Sequence, residues 1–434
     1  MEKHDYPTLG EVLYTQTLTN GLRVLIVPKP DFHETYALFA TNYGAIDTSF
    51  VPIGETEMVQ QPAGIAHFLE HKMFEKADHD AFDLFGETGA NANAYTSTTR
   101  TAYLFSASRA VDQNLNTLLD FVQDPYFTDK TVNKEKGIIG QEIQMYQDDP
   151  GWRLYLGLLG SLYPNHPASV DVTGTIDSIA TITPEMLYQA RARFYHPSNM
   201  TLTVVGPVDP EHVIDLVVAN QATKTFPASD SILRGVDWDL DKHSVIAHRE
   251  LALPVVRPKV MVGIKGQTKI VDDEAGLKQQ IATRLLLEAL FGDSSPLYQQ
   301  WYDAGLVDDS FDYGFEAQRT FNFATLGGDA DDPTALIDAL QQVIAQGVDQ
   351  PELTPERFER LKHAALGKYA MSLNSMSSIA NGISSQSFGA VNLFDYQRLL
   401  QNVSFEDVQT AARQLFDPEA VASLIIYPTD GEEA

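Results

Sequence analysis

The sequence predicts an α+β fold of two homologous domains, each a mostly antiparallel sheet with helices packed on it, arranged as a clamshell. Three observations lead to this prediction. The chain has 434 residues, and domains usually hold roughly 100–200. A stretch late in the first half recurs at the end of the second half. Strand and helix patterns are mixed without the strict alternation that a doubly wound parallel sheet requires.

The internal repeat carries most of this argument. Residues 183–209 align with residues 404–430 without a gap. Thr183 and Ser404 both suit the N-cap of a helix, and each copy then reads as a helix, a proline turn and a buried strand. The matched residues of the two copies are Ala190 with Ala411, Pro197 with Pro418, Pro207 with Pro428 and Asp209 with Asp430. Duplication of one domain explains this match best.

The domain boundaries follow from the repeat and from composition. Residues 224–246 are polar and acidic with weak periodicity, as is typical of a linker. We therefore expect a first domain over residues 1–223 and a homologous second domain over residues 247–434.

Within the first domain, several elements are visible in the sequence. Asn20 and Gly21 separate two apolar runs, which is the strongest short signal for a hairpin. Residues 94–108 are rich in Thr and Tyr and predict one strand. Residues 111–125 and 128–149 predict amphipathic helices that end near Pro125 and Pro150.

Composition excludes several classes of function. The net charge of −29 argues against nucleic acid and against anionic membranes as partners. Cysteine is absent, which excludes disulfides, thiolate metal sites and thiol nucleophiles. We see neither an apolar run of the ~18 residues that span a membrane nor a signal peptide. A cytoplasmic location is therefore expected.

The candidate metal site begins in residues 62–76, PAGIAHFLEHKMFEK, which predict a helix with Pro62 in its first turn. His67 and His71 are four residues apart, so a helix places both imidazoles on one face. Glu70 lies on the same side and could serve as a base beside the ion. This H-x-x-E-H arrangement is the inverse of the commoner H-E-x-x-H motif of zinc peptidases. The alternative is a chance pair of histidines on a solvated helix face.

A catalytic zinc needs a third protein ligand and one open position for water. Glu142 lies in the apolar run GIIGQEIQMY and is the candidate; alone it would more often be a solvated carboxylate. Glu135 precedes it by two helical turns and could orient a ligand histidine. An ion pair with Lys134 or Lys136 is an equally good account of Glu135 from the residues alone.

Three stretches together resemble the pitrilysin/insulysin family of inverzincin peptidases. They are GIAHFLEHKMFEK, ANANAYTSTTRTAYLF and VNKEKGIIGQEI, and their order and spacing fit over residues 1–220. The chain is most similar to the short two-domain branch that includes mitochondrial processing peptidase. Within that branch it resembles the zinc peptidases that occur as dissimilar pairs in Gram-positive bacteria.

The resemblance implies a role for each matched residue. His67, His71 and Glu142 match the protein ligands of zinc. Glu70 matches the general base, and Glu135 matches the glutamate that orients a ligand histidine without binding the metal itself.

The resemblance also bears on substrate binding. Asn93 and Ala94 match the edge-strand positions that meet the substrate, where an extended peptide could add by backbone hydrogen bonds. The family commonly has an Arg and, seven residues on, a Tyr in the second domain. Here those positions hold Tyr302 and either Asp308 or Asp309, so this chain departs from the family pattern.

These observations predict a zinc-dependent endopeptidase that cleaves peptides or unfolded segments inside a two-domain chamber. The missing Arg and Tyr suggest that the chain is the catalytic subunit of a heterodimer with a homologous, metal-free subunit; a homodimer is possible. The alternative is a non-catalytic peptide-binding or assembly subunit on the same fold. Metal-dependent hydrolysis of a small molecule is disfavoured by the extended edge strand.

Overall fold

A computed structural model describes residues 1–386 and 389–429. The chain forms two compact units, each assembled from three separate stretches. The first unit comprises Met1–Ile143, Asp171–Val236 and Ala370–Phe394. The second comprises Gln144–Val170, Asp237–Tyr369 and the chain from Asp395 onward.

Nine strands belong to the first unit and five to the second, within the described residues. They are β1 (Glu2–Tyr6), β2 (Glu11–Thr17), β3 (Arg23–Pro28), β4 (Thr35–Thr41), β5 (Ser49–Phe50), β6 (Val59–Gln60), β7 (Asn91–Thr96), β8 (Thr101–Ala107), β9 (Met200–Gly206), β10 (His248–Leu253), β11 (Lys259–Lys265), β12 (Asp312–Ala317), β13 (Asn322–Asp329) and β14 (Val421–Pro428).

The helices alternate irregularly with these strands. They are α1 (Ile65–Phe74), α2 (Ala81–Thr88), α3 (Val111–Gln123), α4 (Asp129–Gln147), α5 (Pro150–Leu162), α6 (Ile176–Ala180), α7 (Pro184–Phe194), α8 (Pro210–Ala222), α9 (Glu274–Phe291), α10 (Pro296–Asp303), α11 (Pro333–Gln346), α12 (Pro355–Ser372), α13 (Met376–Gln386), α14 (Asp395–Asn402) and α15 (Phe405–Leu415). Among the described residues, none of the helices combines the length and the hydropathy that a membrane span requires.

The first unit is built on a seven-stranded sheet in the order β1-β2-β3-β9-β4-β8-β7. All neighbours are antiparallel except β3 and β9, which run parallel. Because side chains alternate across a strand, Phe39 joins the main core with α1 and α3, whereas Leu38 and Ala40 face the opposite side. On that opposite side α13 packs on β4 and β9.

The second unit repeats the central topology of the first. Its five strands have the order β10-β14-β11-β13-β12, again with one parallel pair, between β10 and β14. This order matches β3-β9-β4-β8-β7 strand for strand. The prediction of two homologous α+β domains with mostly antiparallel sheets is therefore confirmed.

The repeat found in the sequence has the predicted local structure. Thr183 caps α7 through the Met186 N–H, and Ser404 caps α15 through the Asp407 N–H. Each helix is followed by a short 3₁₀ turn that starts at Pro197 or Pro418, and then by the central strand β9 or β14. Asp430, the last matched residue, lies outside the described residues.

Two local predictions were wrong. Residues 94–108 form two strands, β7 and β8, because the Ser97 hydroxyl accepts a hydrogen bond from the Arg100 N–H and donates one to its carbonyl, which closes a turn. Pro62 was expected in the first turn of the metal-site helix, but α1 begins at Ile65.

Each unit also contains a helix that the predicted domain boundaries assign to the other domain. Helix α5 lies before residue 223 but packs on β11 and β14 of the second unit. Helix α13 lies after residue 247 but packs on the first sheet. The predicted domain boundaries therefore follow the sequence duplication that we propose, with residues 1–223, 224–246 and 247–434. They differ from the bounds of the two compact units.

Candidate metal centre

Helix α1 positions the two candidate histidines. It follows Gly64, which has a φ of +86°, and a Cβ there would lie 2.4 Å from the Thr173 carbonyl oxygen. Only glycine fits this start without strain. The apolar face of the helix is buried in the main core of the first unit; it comprises Ile65, Phe68, Leu69 and Met73. Burial of that face fixes the rotation of the helix, and so the direction of His67 and His71.

Helix α4 brings a carboxylate to the same place. The Glu142 Oε1 atom lies 3.6 Å from His67 Nε2, and its Oε2 atom lies 3.6 Å from His71 Nε2. One ligand atom from each of the three residues lies within 4.8 Å of the others. Within the described part of the chain, this is the one group of His, Asp or Glu side chains that is so arranged.

These distances suit a metal ion better than direct hydrogen bonds. A separation of 3.6 Å exceeds the usual 2.7–3.2 Å range of a hydrogen bond. Two ligands of a tetrahedral zinc with bonds of roughly 2.1 Å lie about 3.4 Å apart. Two nitrogens and one carboxylate oxygen also form the donor set of a catalytic zinc site. The residues therefore fit the ion that the sequence predicts.

The ionisation of the two histidines differs. Burial, with the charge of His71, lowers the pKa of His67 to about 3, so this imidazole stays neutral as a metal ligand must. Burial also acts to lower the pKa of His71. The hydrogen bond that His71 donates to Glu135 and the charges of Glu70, Glu135 and Glu142 outweigh burial, and the net pKa is raised.

Glu135 contacts His71 from behind. Its Oε1 atom lies 3.0 Å from His71 Nδ1, which leaves Nε2 directed toward Glu142. Glu135 is buried, with 8% of its surface exposed. The alternative ion pair with Lys134 or Lys136 is not formed among the described contacts, and Lys136 instead donates to the Ala180 carbonyl. A carboxylate on the second nitrogen fixes the tautomer and orientation of a ligand histidine.

Glu70 lies beside the three candidate ligands with its carboxylate held by a hydroxyl. Thr96, the last residue of β7, donates a hydrogen bond of 2.5 Å to Glu70 Oε2. Burial raises the pKa of Glu70 to about 7; the Thr96 hydrogen bond and the charge of His71 oppose this shift, and Glu142 adds to it. A carboxylate with a pKa near neutrality is suited to accept and return a proton.

The predicted substrate residues lie on an open sheet edge. Strand β7 is the last strand of the first sheet, so among the described residues its outer backbone groups have no strand partner. Asn93 Oδ1 accepts a hydrogen bond of 2.8 Å from the Ala94 N–H. The side chain of Asn93 thereby satisfies the donor that a docked peptide would use.

In the second unit, Tyr302 and the two aspartates Asp308 and Asp309 occupy the positions where the resemblance implies an Arg and a Tyr. Tyr302 is exposed, and the charge of Asp309 raises the pKa of its hydroxyl. Asp308 pairs with Arg257 at 2.6 Å and accepts from Ser310; the Ser310 and Arg257 contacts lower its pKa to about 2. Both aspartates are thus engaged within the second unit.

Sequence reasoning missed Thr96 and the hydroxyls behind it. Thr96 pairs with Thr101 across the β7–β8 hairpin. The hydroxyl of Tyr195, a further buried residue, lies 2.8 Å from that of Tyr103 on β8. The motif AYTST marks the strand, but only the sheet register shows which threonine meets Glu70.

Comparison with known protein families agrees with this geometry. Residues 50–174 match the model described as insulinase, peptidase family M16, and residues 181–365 match that of the peptidase M16 inactive domain. An uncharacterized zinc protease of Bacillus subtilis, YmfH, is 45% identical over 411 residues, which cover 94% of this chain and 95% of YmfH. A second, YmxG of the same organism, is 25% identical over 94% of this chain and 97% of YmxG.

Solved structures share the fold. The crystal structure of an M16-like peptidase from Alicyclobacillus acidocaldarius superposes with a TM-score of 0.92 at 34% identity, over 98% of this chain and all (100%) of that one. A protease from Helicobacter pylori has a TM-score of 0.81 at 20% identity over 96% of this chain and 99% of that one, and shows the fold alone. The chain belongs to the pitrilysin/insulysin family of peptidases, family M16, in its short two-domain branch.

Proposed function

We propose that this chain is a zinc-dependent endopeptidase that cleaves peptides or unfolded segments. The observation that carries the proposal is the convergence of His67, His71 and Glu142, with Glu70 held beside them. The names of the relatives as zinc proteases support the same activity. That the two domains enclose the substrate stays a prediction from the resemblance. A cytoplasmic location stays a prediction from the composition.

His67, His71 and Glu142 would hold the ion. A bound zinc supplies Lewis acidity for the scissile carbonyl and lowers the pKa of water. Glu70 accepts the proton of the attacking water at its carboxylate and then delivers it to the leaving amine. Glu135 holds the His71 ring so that its Nε2 faces Glu142. Thus, three residues would bind the metal, one would transfer a proton and one would orient a ligand.

The edge of β7 would receive the substrate as an extended strand. Backbone hydrogen bonds to an open edge fix the peptide without reading much of its sequence. Docking at Ala94 requires that the Asn93 side chain release the Ala94 N–H, to which it is bonded. A folded globular protein offers few free extended segments, so unfolded segments and peptides are the expected substrates.

We also propose that a homologous, metal-free subunit completes the site. The family's Arg and Tyr positions hold Tyr302 and either Asp308 or Asp309 here, and Asp308 is already paired with Arg257. A partner with the Arg and Tyr would supply the groups that hold the substrate near the scissile carbonyl. A homodimer is the other assembly to test.

Metal content and peptide cleavage test the proposal. We expect the purified chain to hold zinc by elemental analysis, and variants His67→Ala and Glu142→Ala to lose it. We expect a peptide library to be cleaved, cleavage to stop with a chelator, and the rate to rise when the candidate partner is added. A zinc-free wild-type chain would favour the non-catalytic peptide-binding role. Rates unaffected by the partner would refute the heterodimer.

A further inference from the structure

The end of the edge strand and the proposed base are joined by one hydrogen bond. Thr96 Oγ1 donates to Glu70 Oε2 at 2.5 Å, and Thr96 is the last residue of β7. Glu70 lies on α1, 26 residues earlier in the chain. The contact therefore links the strand proposed to receive the substrate directly to the group proposed to transfer the proton.

The Thr96 hydroxyl is itself fixed by the hairpin behind it. Thr96 and Thr101 are direct partners across β7 and β8, with their hydroxyl oxygens 3.4 Å apart. Thr101 is fully buried and donates a hydrogen bond of 2.9 Å to the Tyr43 carbonyl. The Thr101 hydroxyl donates its one proton to the Tyr43 carbonyl. The Thr96 hydroxyl therefore has Glu70 as the acceptor for its own proton.

Buried tyrosines lie beside Thr101 on the same face of the sheet. Tyr103 follows Thr101 by two residues on β8, and its hydroxyl lies 2.8 Å from that of Tyr195. Both tyrosines are essentially inaccessible, with 0% and 1% of their surfaces exposed. A network of hydroxyls in such surroundings allows little freedom of movement.

The geometry points to Thr96 as a positioning residue for the general base: its hydroxyl holds the Glu70 carboxylate in the orientation that proton transfer requires. This inference rests on the proposed function. Thr96 touches neither the candidate ligands nor, through its hydroxyl, the outer edge of β7 in the described contacts. Its loss therefore affects the chemical step more than metal binding or substrate affinity.

The test compares Thr96→Val, which removes the hydroxyl at nearly constant shape, with Thr96→Ser, which keeps it. A misplacement of about 1 Å in a catalytic group can cost about 100-fold in rate, so we expect Thr96→Val to lower kcat by about 10- to 100-fold. We expect KM, zinc content and thermal stability to stay at wild-type values. Thr96→Ser should restore most of kcat.

Thr98→Val is the matched control. Thr98 lies in the same hairpin turn, and the described part of the chain gives its hydroxyl no hydrogen bond. This variant should keep wild-type kcat. Crystal structures of the zinc-loaded variants add a readout independent of activity: the Glu70 carboxylate should be displaced in Thr96→Val and in place in Thr96→Ser.

Two results would overturn the inference. One is a wild-type kcat in Thr96→Val; the other is an unmoved Glu70 in its crystal structure. A fall in kcat that Thr96→Ser fails to restore would also count against a role for the hydroxyl. A wild-type chain that binds no zinc and cleaves no peptide, alone or with its partner, would instead refute the proposed function. In that case the position of Glu70 in the variant structures still decides the inference.

Discussion

Replacement of Glu135, which hydrogen-bonds His71 Nδ1, should weaken zinc binding. The contact also allows us to estimate the loss of zinc affinity. Glu135 Oε1 lies 3.0 Å from His71 Nδ1, and the carboxylate is buried with 8% exposed. Loss of such a partner typically costs 10- to 100-fold in metal affinity, which corresponds to roughly 1.4–2.7 kcal/mol. We expect Glu135→Ala to fall in this range.

The zinc affinity of Glu135→Gln should lie between those of Glu135→Ala and the wild type. Its amide oxygen still accepts from His71, but a neutral hydrogen bond is roughly half as strong as a charged one. The same carboxylate raises the pKa of His71, so protons compete for this ligand more strongly in the wild type than in Glu135→Ala. The difference in zinc affinity should therefore narrow as the pH falls.

Competition against a zinc-binding dye at neutral pH measures these affinities. Lys134→Ala is the matched control, because Lys134 is the preceding residue on α4 and is exposed. It should bind zinc as the wild type does. If Glu135→Ala also binds zinc with unchanged affinity, Glu135 does not support the ligand and our account of this contact fails.

Two further predictions concern pH and substrate affinity. Burial lowers the pKa of His166 to about 4, below the ordinary 6.5. As the pH falls, the unfolded chain therefore protonates His166 before the folded chain does. The free energy of unfolding is at its full value above pH 6.5 and decreases by about 3 kcal/mol in all as the pH falls toward 4. Chemical unfolding at several pH values should show a weaker loss in His166→Asn; identical pH profiles would contradict this. Asn93→Ala frees the Ala94 N–H and should lower the KM of peptide cleavage by about 2- to 10-fold, from the usual net value of one hydrogen bond. A raised KM would mean that the Asn93 side chain contacts the substrate itself.

Helix α1, which carries His67 and His71, could be predicted from the sequence because the spacing of the two histidines is a local pattern. The spacing of His67 and His71 places them on one helical face whatever the rest of the chain does. Glu142 is also local to its helix, but its meeting with the histidines depends on how α1 and α4 pack. The resemblance supplied that information, since the residues alone left a solvated carboxylate as the better account.

The parts that could not be predicted depend on contacts between distant residues. Thr96 meets Glu70 because of the register of β7 and β8 and the packing of α1, neither of which a single sequence shows. Residues 94–108 looked like one strand because the turn at Ser97 lacks glycine and proline. The placement of α5 and α13 in the units that they join is a long-range property as well.

We propose that Glu70 transfers a proton for peptide hydrolysis at a zinc ion held by His67, His71 and Glu142. The most direct test of this proposal is the Glu70→Gln variant, compared with the wild type for zinc content and for cleavage of an unstructured peptide, alone and with the candidate partner. We expect equal zinc content in both proteins and peptide cleavage by the wild type only. Cleavage by Glu70→Gln at the wild-type rate would contradict it.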